Sequence, residues 1–155
     1  MKNTWHWDSP IGVLGLADDG VGITDIYFGK QEIADDSTEC KTSLIEQAIS
    51  QLQEYFDGTR KEFDLPLSLH GTDFQIADWE ALQTIPYGET RSYQQIAEQI
   101  GNLKACRAVG MANKHNPVMI VVPCHRVIGK NGGLTGYACG LSIKKSLLEL
   151  EQKYR

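Results

Sequence analysis

The spacing of hydrophobic residues divides the first seventy positions into short strands and one helix. Two runs typical of β-strands, 13–17 and 21–28, flank an Asp-Asp-Gly sequence that is typical of a hairpin turn. Ser43 begins a Ser-x-x-Glu capping box, and helical spacing follows it. The apolar positions of that helix are Ile45, Ala48, Ile49, Leu52, Tyr55 and Phe56. Alternation over 63–69 predicts a further strand, at a sheet edge because it contains a proline, so residues 1–70 are predicted to form a small α/β domain.

From residue 71 onward the pattern is helical. Thr72 and Ser92 each begin a capping box, and apolar residues at helical spacing follow both of them. Gly101 lies where a helix commonly ends in a left-handed residue, and a further helix is predicted over about 104–115. Two short helices joined by a turn that contains glycine are typical of a helix-turn-helix. Residues 71–155 are therefore predicted to form a mainly α domain with a helix-turn-helix.

The second helix of this pair carries few bulky side chains. Its small residues are Ala105, Cys106, Ala108, Gly110 and Ala112, and its charged residues include Arg107 and Lys114. Small side chains allow a backbone to come close to a neighbour. Tight packing between helices explains this pattern as well as a close approach to the sugar-phosphate walls of DNA does.

Charge is distributed unequally along the chain. Residues 1–85 hold 5 Lys and Arg against 16 Asp and Glu, a net charge of −11, whereas residues 86–155 hold 10 against 4, a net charge of +6. A basic half favours contact with a polyanion such as nucleic acid, although a solvated charged surface explains the same pattern.

The composition also indicates a cellular compartment. The N-terminal residues have no apolar signal core, and no apolar run approaches the roughly 20 residues that span a bilayer. The four cysteines form no C-x-x-C pair and the four histidines are scattered, so neither a disulfide framework nor a zinc site is expected. Reduced thiols in the cytoplasm fit this composition best.

The strongest candidate chemistry is Pro123-Cys124-His125-Arg126, which follows the apolar run 119–122. A thiol reacts as its thiolate, and a nearby histidine is a common means of generating a thiolate at neutral pH. A buried cysteine with an incidental histidine beside it is the alternative interpretation.

These residues resemble the O6-alkylguanine-DNA alkyltransferases, also called methylated-DNA-protein-cysteine methyltransferases, from about residue 74 to residue 151. The matching segments are Ile85-Pro86-Tyr87-Gly88, Ser92-Tyr93-Gln94-Gln95-Ile96-Ala97, Arg107-Ala108-Val109-Gly110, Asn116-Pro117, Ile120-x-x-Pro123-Cys124-His125-Arg126-Val127-Ile128, Gly136-Tyr137, Lys144 and Leu147-Leu148-x-x-Glu151. Each segment alone is weak evidence for the family, but the order and spacing of all the segments together are specific for it. The first half resembles the ribonuclease-H-like N-terminal domain of that family more loosely, by length and element order.

The resemblance implies a DNA repair protein that flips an O6-alkylguanine out of the duplex and transfers the alkyl group irreversibly to its own Cys124. A thiolate is a soft nucleophile suited to displacement at an alkyl carbon. His125 is implied as the base, acting through a water, and Glu151 as the residue that orients it. Asn116 is implied to brace the active-site turn. A frayed helix end for Glu151 and an ordinary turn residue for Asn116 are the alternatives.

Two further residues are implied to act on the damaged nucleotide. Tyr93 would donate a proton to the leaving base and crowd the phosphate, and Arg107 would fill the gap left by the flipped base. A core aromatic is the ordinary alternative for Tyr93. The DNA-contacting positions implied by the family are Ser92, Gln94, Ala105, Cys106, Arg107, Ala108, Gly110 and Lys114.

The substrate pocket is implied to include Met119, Val127, Tyr137, Ala138 and Cys139. Cys139 stands where the family often has glycine, and Met119 stands where several relatives have proline. Both departures bear on the shape of the pocket more than on its chemistry.

The expected partner is double-stranded DNA that contains O6-alkylguanine, bound by a monomer without a cofactor, a metal or a membrane. Activity on O4-methylthymine is left open. Two other functions compete with alkyl transfer. A lesion-binding protein without catalysis would keep the helix-turn-helix but not the acceptor cysteine, and a thiol hydrolase would use Cys124, His125 and Glu151 as a triad without need of DNA.

Overall fold

The computed structural model describes residues 2–29, 37–129 and 140–155. The chain forms two compact units, Met1–His70 and Gly71–Arg155.

In the first unit, residues 2–29 and 37–70 form a four-stranded sheet and one helix. Its elements are β1 (Asn3–Ser9), β2 (Gly12–Asp18), β3 (Ile23–Phe28), β4 (Thr38–Glu39) and α1 (Ser43–Phe56). The strand order is β3-β2-β1-β4. Neighbours β1, β2 and β3 are antiparallel, whereas β4 runs parallel to β1. The predicted hairpin between β2 and β3 is therefore confirmed.

The N-cap of α1 lies one residue earlier than predicted. Thr42, not Ser43, is the N-cap, and its side chain accepts a hydrogen bond from the Ile45 N–H at 3.1 Å. The Thr42 hydroxyl also donates to the buried carboxylate of Asp18. The prediction of a capping box at Ser43 was wrong because the Thr42 side chain occupies the capping position and joins the helix to β2. The predicted inner face is buried at Ile45, Ala48, Leu52, Tyr55 and Phe56.

The strand predicted over 63–69 is not formed. A single bridge pairs Leu67 with Ile23 in β3. The Ile23 N–H donates to the Pro66 carbonyl at 2.8 Å, and the Ser68 N–H donates to the Ile23 carbonyl at 2.9 Å. Pro66 has no N–H to extend the ladder, so the alternating side chains lie along an irregular segment.

The second unit is mainly helical. Its elements are α2 (Asp73–Leu82), β5 (Arg91–Ser92), α3 (Tyr93–Ile100), α4 (Cys106–Lys114), a 3-10 turn (Cys124–Arg126), β6 (Val127–Ile128) and α5 (Leu141–Lys153). The short strands β5 and β6 pair in parallel. None of the described helices has the length and apolar character needed to cross a bilayer.

Local signals set the ends of these helices. The capping boxes at Thr72 and Ser92 are both formed, and Gly101 ends α3 in the left-handed region at a φ of 94°. The helix predicted over 104–115 is shorter, and it begins without a side-chain cap. The turn that leads into it is closed by the Asn102 carbonyl, which accepts from the Ala105 N–H at 3.0 Å.

Buried polar contacts join α2 to α4. The Trp79 indole N–H donates to the Ala112 carbonyl at 2.9 Å. The Asn113 amide, in the orientation that satisfies its hydrogen bonds, donates to the Asp78 carboxylate at 2.6 Å and to the Val109 carbonyl. Burial raises the pKa of Asp78 to about 7. The helix α4 is thus held against α2 by hydrogen bonds as well as by apolar packing.

The close approach of residues 67 and 68 to Gly22 generates a stability prediction. A Cβ at Gly22 would lie 2.8 Å from the Leu67 carbonyl carbon, and this backbone would have to move. Gly22→Ala should therefore lower the free energy of unfolding by about 1–3 kcal/mol in urea titrations. Val21 is 79% exposed, so Val21→Ala should change stability by less than about 0.5 kcal/mol. Equal losses in both variants would contradict this account.

Candidate active site

A strained turn precedes Cys124. Ile120 has a φ of 74°, and around it the Val121 N–H donates to the Met119 carbonyl at 2.9 Å. A β-branched residue in the left-handed region is a steric outlier that costs on the order of 1–3 kcal/mol. Ile120 is 1% exposed, and the buried surroundings hold it in place. Such strain commonly occurs where a backbone must direct a functional group.

A second tight turn positions Cys124 itself. Pro123 has φ −83° and ψ 63°, and the Cys124 N–H donates to the Val122 carbonyl at 2.8 Å. These values correspond to an inverse γ-turn. Cys124 then begins the 3-10 turn, carries a thiol outside any disulfide and is 5% exposed.

Asn116 joins both turns through its side chain. Its amide nitrogen donates to the Val122 carbonyl at 2.7 Å and to the Cys124 sulfur at 3.1 Å. Its amide oxygen accepts from the Val118 N–H at 3.0 Å. A donor directed at the sulfur stabilises the thiolate relative to the thiol.

Glu151, on α5, is the hub of a buried polar cluster. One carboxylate oxygen lies 2.6 Å from His125 Nε2 and 3.1 Å from Arg126 Nη2. The other accepts from Arg126 Nε at 2.8 Å and from the Gly88 N–H at 3.2 Å. His125 is 0% exposed, Glu151 1% and Arg126 6%. The cost of burying the carboxylate is offset by four hydrogen bonds and a paired charge.

The electrostatics of this cluster determine which group carries the proton. Burial alone would raise the pKa of Glu151, but His125 and Arg126 outweigh that effect and hold it at about 2. Burial lowers the pKa of His125. The neutral ring therefore donates its Nε2–H to the ionised carboxylate, which leaves Nδ1 as an acceptor. Nδ1 is buried and has no hydrogen-bond partner among the described residues.

Lys144 is a buried cation near the sulfur to which the sequence analysis assigned no role. It is 1% exposed, and its Nζ donates to the Val127 carbonyl. Burial lowers the pKa of Lys144 to about 8, and the nearby Cys124 opposes that shift. Helical spacing could have placed it on the inner face of α5, since Leu147 and Glu151 lie three and seven residues further along. The identity of its partners could not be read from that spacing.

A separate groove of about 450 Å³ lies between α3 and α4. It is lined by Tyr93, Cys106, Arg107, Gly110, Met111 and Lys114. A Cβ at Gly110 would lie 3.7 Å from the Tyr93 ring, so the small residue leaves space beside the aromatic ring. Cys124 does not line this groove.

The remaining predicted site residues have varied environments. Gln94 and Ala108 are exposed, whereas Ala105 is 7% exposed and presents little surface to a ligand. The Ser92 hydroxyl accepts from the Gln95 N–H, as an N-cap. In the predicted pocket, Met119 and Val127 are buried. Tyr137, Ala138 and Cys139 lie outside the described residues.

Within residues 2–29, 37–129 and 140–155, no cluster of three or more His, Cys, Asp or Glu side chains is placed to hold a metal ion.

Both halves of the chain match models of one known protein family. Residues 73–153 match the 6-O-methylguanine DNA methyltransferase DNA binding domain, and residues 6–69 match the ribonuclease-like domain of the same enzyme. The chain belongs to the 6-O-methylguanine DNA methyltransferase family.

Individual members of the 6-O-methylguanine DNA methyltransferase family match over nearly the whole chain. The methylated-DNA–protein-cysteine methyltransferase of Methanosarcina acetivorans is 53% identical, over 94% of this chain and 95% of the relative. That of Mycobacterium tuberculosis is 52% identical, over 94% and 89%. A crystal structure of Mycobacterium tuberculosis OGT in complex with DNA has a TM-score of 0.93 at 51% identity, and the match covers 98% of this chain and 94% of that chain.

The cluster around Glu151 generates a prediction about stability. Glu151→Gln removes a buried negative charge and leaves Arg126 without its counterion, so the variant should lose about 3–5 kcal/mol of unfolding free energy at pH 7. Glu149 on the same helix forms a 3.9 Å ion pair with Lys145, and both side chains are 67% exposed. Glu149→Gln, the matched control, should lose less than about 0.5 kcal/mol.

The difference in unfolding free energy between wild type and Glu151→Gln should depend on pH. The pKa of Glu151 in the folded state, about 2, lies below its ordinary value of 4.5, so its contribution is complete above pH 4.5 and is lost as pH falls toward 2. Urea titrations from pH 7 to pH 3 should show the gap between wild type and Glu151→Gln narrowing below pH 4.5. A gap that widens on acidification would contradict the assignment.

Proposed function

We propose that this protein repairs alkylated DNA by transferring the alkyl group of O6-alkylguanine irreversibly to Cys124. The observation that carries this proposal is the pair of hydrogen bonds on either side of the Cys124–His125 peptide: the Asn116 amide donates to the Cys124 sulfur, and the neutral base His125 is oriented by the Glu151 carboxylate. The relatives named methylated-DNA–protein-cysteine methyltransferase support the substrate, and the OGT structure with DNA supports the partner.

The thiol is activated by proton transfer to His125. The proton leaves the Cys124 sulfur and reaches His125 Nδ1, directly or through one water, while Nε2–H remains bonded to Glu151. The ionised carboxylate stabilises the imidazolium that forms. Asn116 and Lys144 stabilise the thiolate, the first by its amide donor and the second by its charge.

The thiolate then displaces guanine from the alkyl carbon. A bond forms between sulfur and carbon, and the bond between carbon and guanine O6 breaks with its electron pair on the base. Tyr93 donates a proton to the departing ring and regains one, through solvent, from the imidazolium. The proton lost by the thiol therefore equals the proton gained by guanine. The product is a thioether that no base in the site can cleave, so each molecule reacts once.

The helices α3 and α4 carry the interaction with duplex DNA in this proposal. They act as a helix-turn-helix, and Arg107, exposed on α4, enters the space left by the flipped base. The exposed Gln94, Ala108 and Lys114 contact the backbone. The strand order β3-β2-β1-β4 supports a ribonuclease-H-like description of the first unit. A cytoplasmic location is consistent with the thiols of Cys40, Cys106 and Cys124, none of which forms a disulfide.

The acceptor assignment predicts the behaviour of a cysteine variant. After incubation with an O6-methylguanine duplex, intact mass should show one added methyl group on wild type and none on Cys124→Ser. DNA affinity should be nearly unchanged, because the thiol provides little contact area. Cys106→Ser is the matched control and should accept the methyl group. A wild type without a mass change would favour a lesion-binding protein or a thiol hydrolase, and methylation of Cys124→Ser would disprove the assignment.

The role proposed for Arg107 predicts a difference between substrates. Arg107→Ala should slow transfer from duplex DNA at least tenfold, since stabilising an extruded base is worth a few kcal/mol. Transfer from free O6-methylguanine should change little, because no base has to be extruded. Lys145→Ala, a loss of positive charge on α5, should affect neither rate. Equal slowing of both substrates by Arg107→Ala would show that the residue acts on chemistry or folding instead.

A further inference from the structure

Arg126 is buried at the centre of the site, yet the proposed chemistry does not use it. Its guanidinium donates to both oxygens of Glu151, at 2.8 and 3.1 Å. Its Nη1 donates to the Ile85 carbonyl at 2.7 Å. Its central carbon lies 5.7 Å from the centre of the Tyr87 ring. Arg126 is therefore held on three sides, and its orientation is fixed.

The segment 85–88 contacts both Arg126 and the carboxylate that Arg126 binds. Besides the Ile85 carbonyl and the Tyr87 ring, the Gly88 N–H donates to Glu151 at 3.2 Å. The Gly88 carbonyl accepts from the Gln152 side chain at 2.9 Å, which joins the same segment to α5 again. Residues 85–88 thus contact both Arg126 and Glu151 and fix the position of each relative to the other.

Arg126 and His125 compete for one carboxylate. A guanidinium is always charged, so it neutralises Glu151 at every physiological pH. Without that cation, the buried carboxylate would be neutralised most readily by a proton on the neighbouring imidazole. A protonated His125 can no longer accept a proton from Cys124.

The groups around His125 act in opposite directions. Burial is the main cause of its lowered pKa, Arg126 beside it and Lys144 on α5 lower the pKa further, and Glu151 on α5 raises it. The only other titratable group on the 3-10 turn is Cys124. Tyr87, from the segment 85–88, lies against Arg126. Arg126 is thus the cation in direct contact with the carboxylate that would otherwise attract a proton to the ring.

We propose that Arg126 is a positioning residue that, by binding both oxygens of Glu151, keeps His125 neutral before the reaction and so ready to accept the proton of Cys124. This inference rests on the proposed function only in naming the reaction, because the protonation state of His125 can be measured without it. Arg126 binds Glu151 and acts on His125 through that carboxylate.

The pH profile of alkyl transfer tests this role. With free O6-benzylguanine as substrate, the rate falls at acidic pH as His125 is protonated. Arg126→Met should move this acid limb to higher pH by about one unit or more, because a buried carboxylate without its cation favours the imidazolium. Arg126→Lys keeps the charge and should leave the limb near its wild-type position, even if the looser geometry lowers the rate. Arg91→Met removes the partner of Glu89 from a surface ion pair and should not move the limb.

A direct measurement of protonation makes the test independent of activity. Nitrogen-15 NMR should show the His125 ring of the wild type as a neutral imidazole, protonated at Nε2, at pH 6, and the ring of a folded Arg126→Met should become an imidazolium at a pH about one unit or more higher than in the wild type. An imidazolium in the wild type at pH 6, or a ring or an acid limb that titrates at the same pH in wild type and folded Arg126→Met, would overturn the inference. A protein in which the titration of His125 shifts in this way but that transfers no alkyl group would instead contradict the proposed function and leave the role of Arg126 intact.

Discussion

The buried carboxylate of Glu151 is the interaction on which the active site depends. It gathers groups from three separate parts of the chain, namely Gly88 before α3, the pair His125 and Arg126 in the 3-10 turn, and its own helix α5. An ionised carboxylate out of water is tolerated only when its lone pairs are satisfied and its charge is paired. The hydrogen bonds and the ion pair that make the buried Glu151 carboxylate tolerable therefore also fix the relative positions of the segments that carry the reactive groups.

The site combines this polar constraint with stored backbone strain. Ile120 is held in an unfavourable conformation by buried neighbours such as Val118 and Val122, and Asn116 joins the same turn to the Cys124 sulfur. The strain at Ile120 lowers stability when taken alone, and the apolar core around it offsets that cost. Functional sites often depart from the most stable arrangement in this way, because reactivity requires groups in positions that they would not otherwise adopt.

Much of the fold followed from local signals, whereas the surroundings of the site did not. The capping boxes at Thr72 and Ser92 were predicted correctly because each involves residues within one turn of a helix. The cap at Thr42 was missed because two hydroxyl residues compete for that position and a long-range contact with Asp18 favours the first. The contact between His125 and Glu151 agrees with the family motif. The burial of Arg126 and Lys144 could not be derived, since spacing identifies an inner face but not the partners that make a buried cation tolerable.

The hydrogen bond between Trp79 and α4 has a spectroscopic consequence. Trp5 and Trp7 lie in β1, and Trp79 is the only tryptophan of residues 71–155. Its indole is 2% exposed and bonded to a carbonyl near the end of the helix that carries Arg107. The emission wavelength and quenching of a buried indole change when water or a new dipole reaches it. Replacing the two β1 tryptophans with phenylalanine would leave Trp79 as the single tryptophan, whose emission reports rearrangement of α4 without an attached dye.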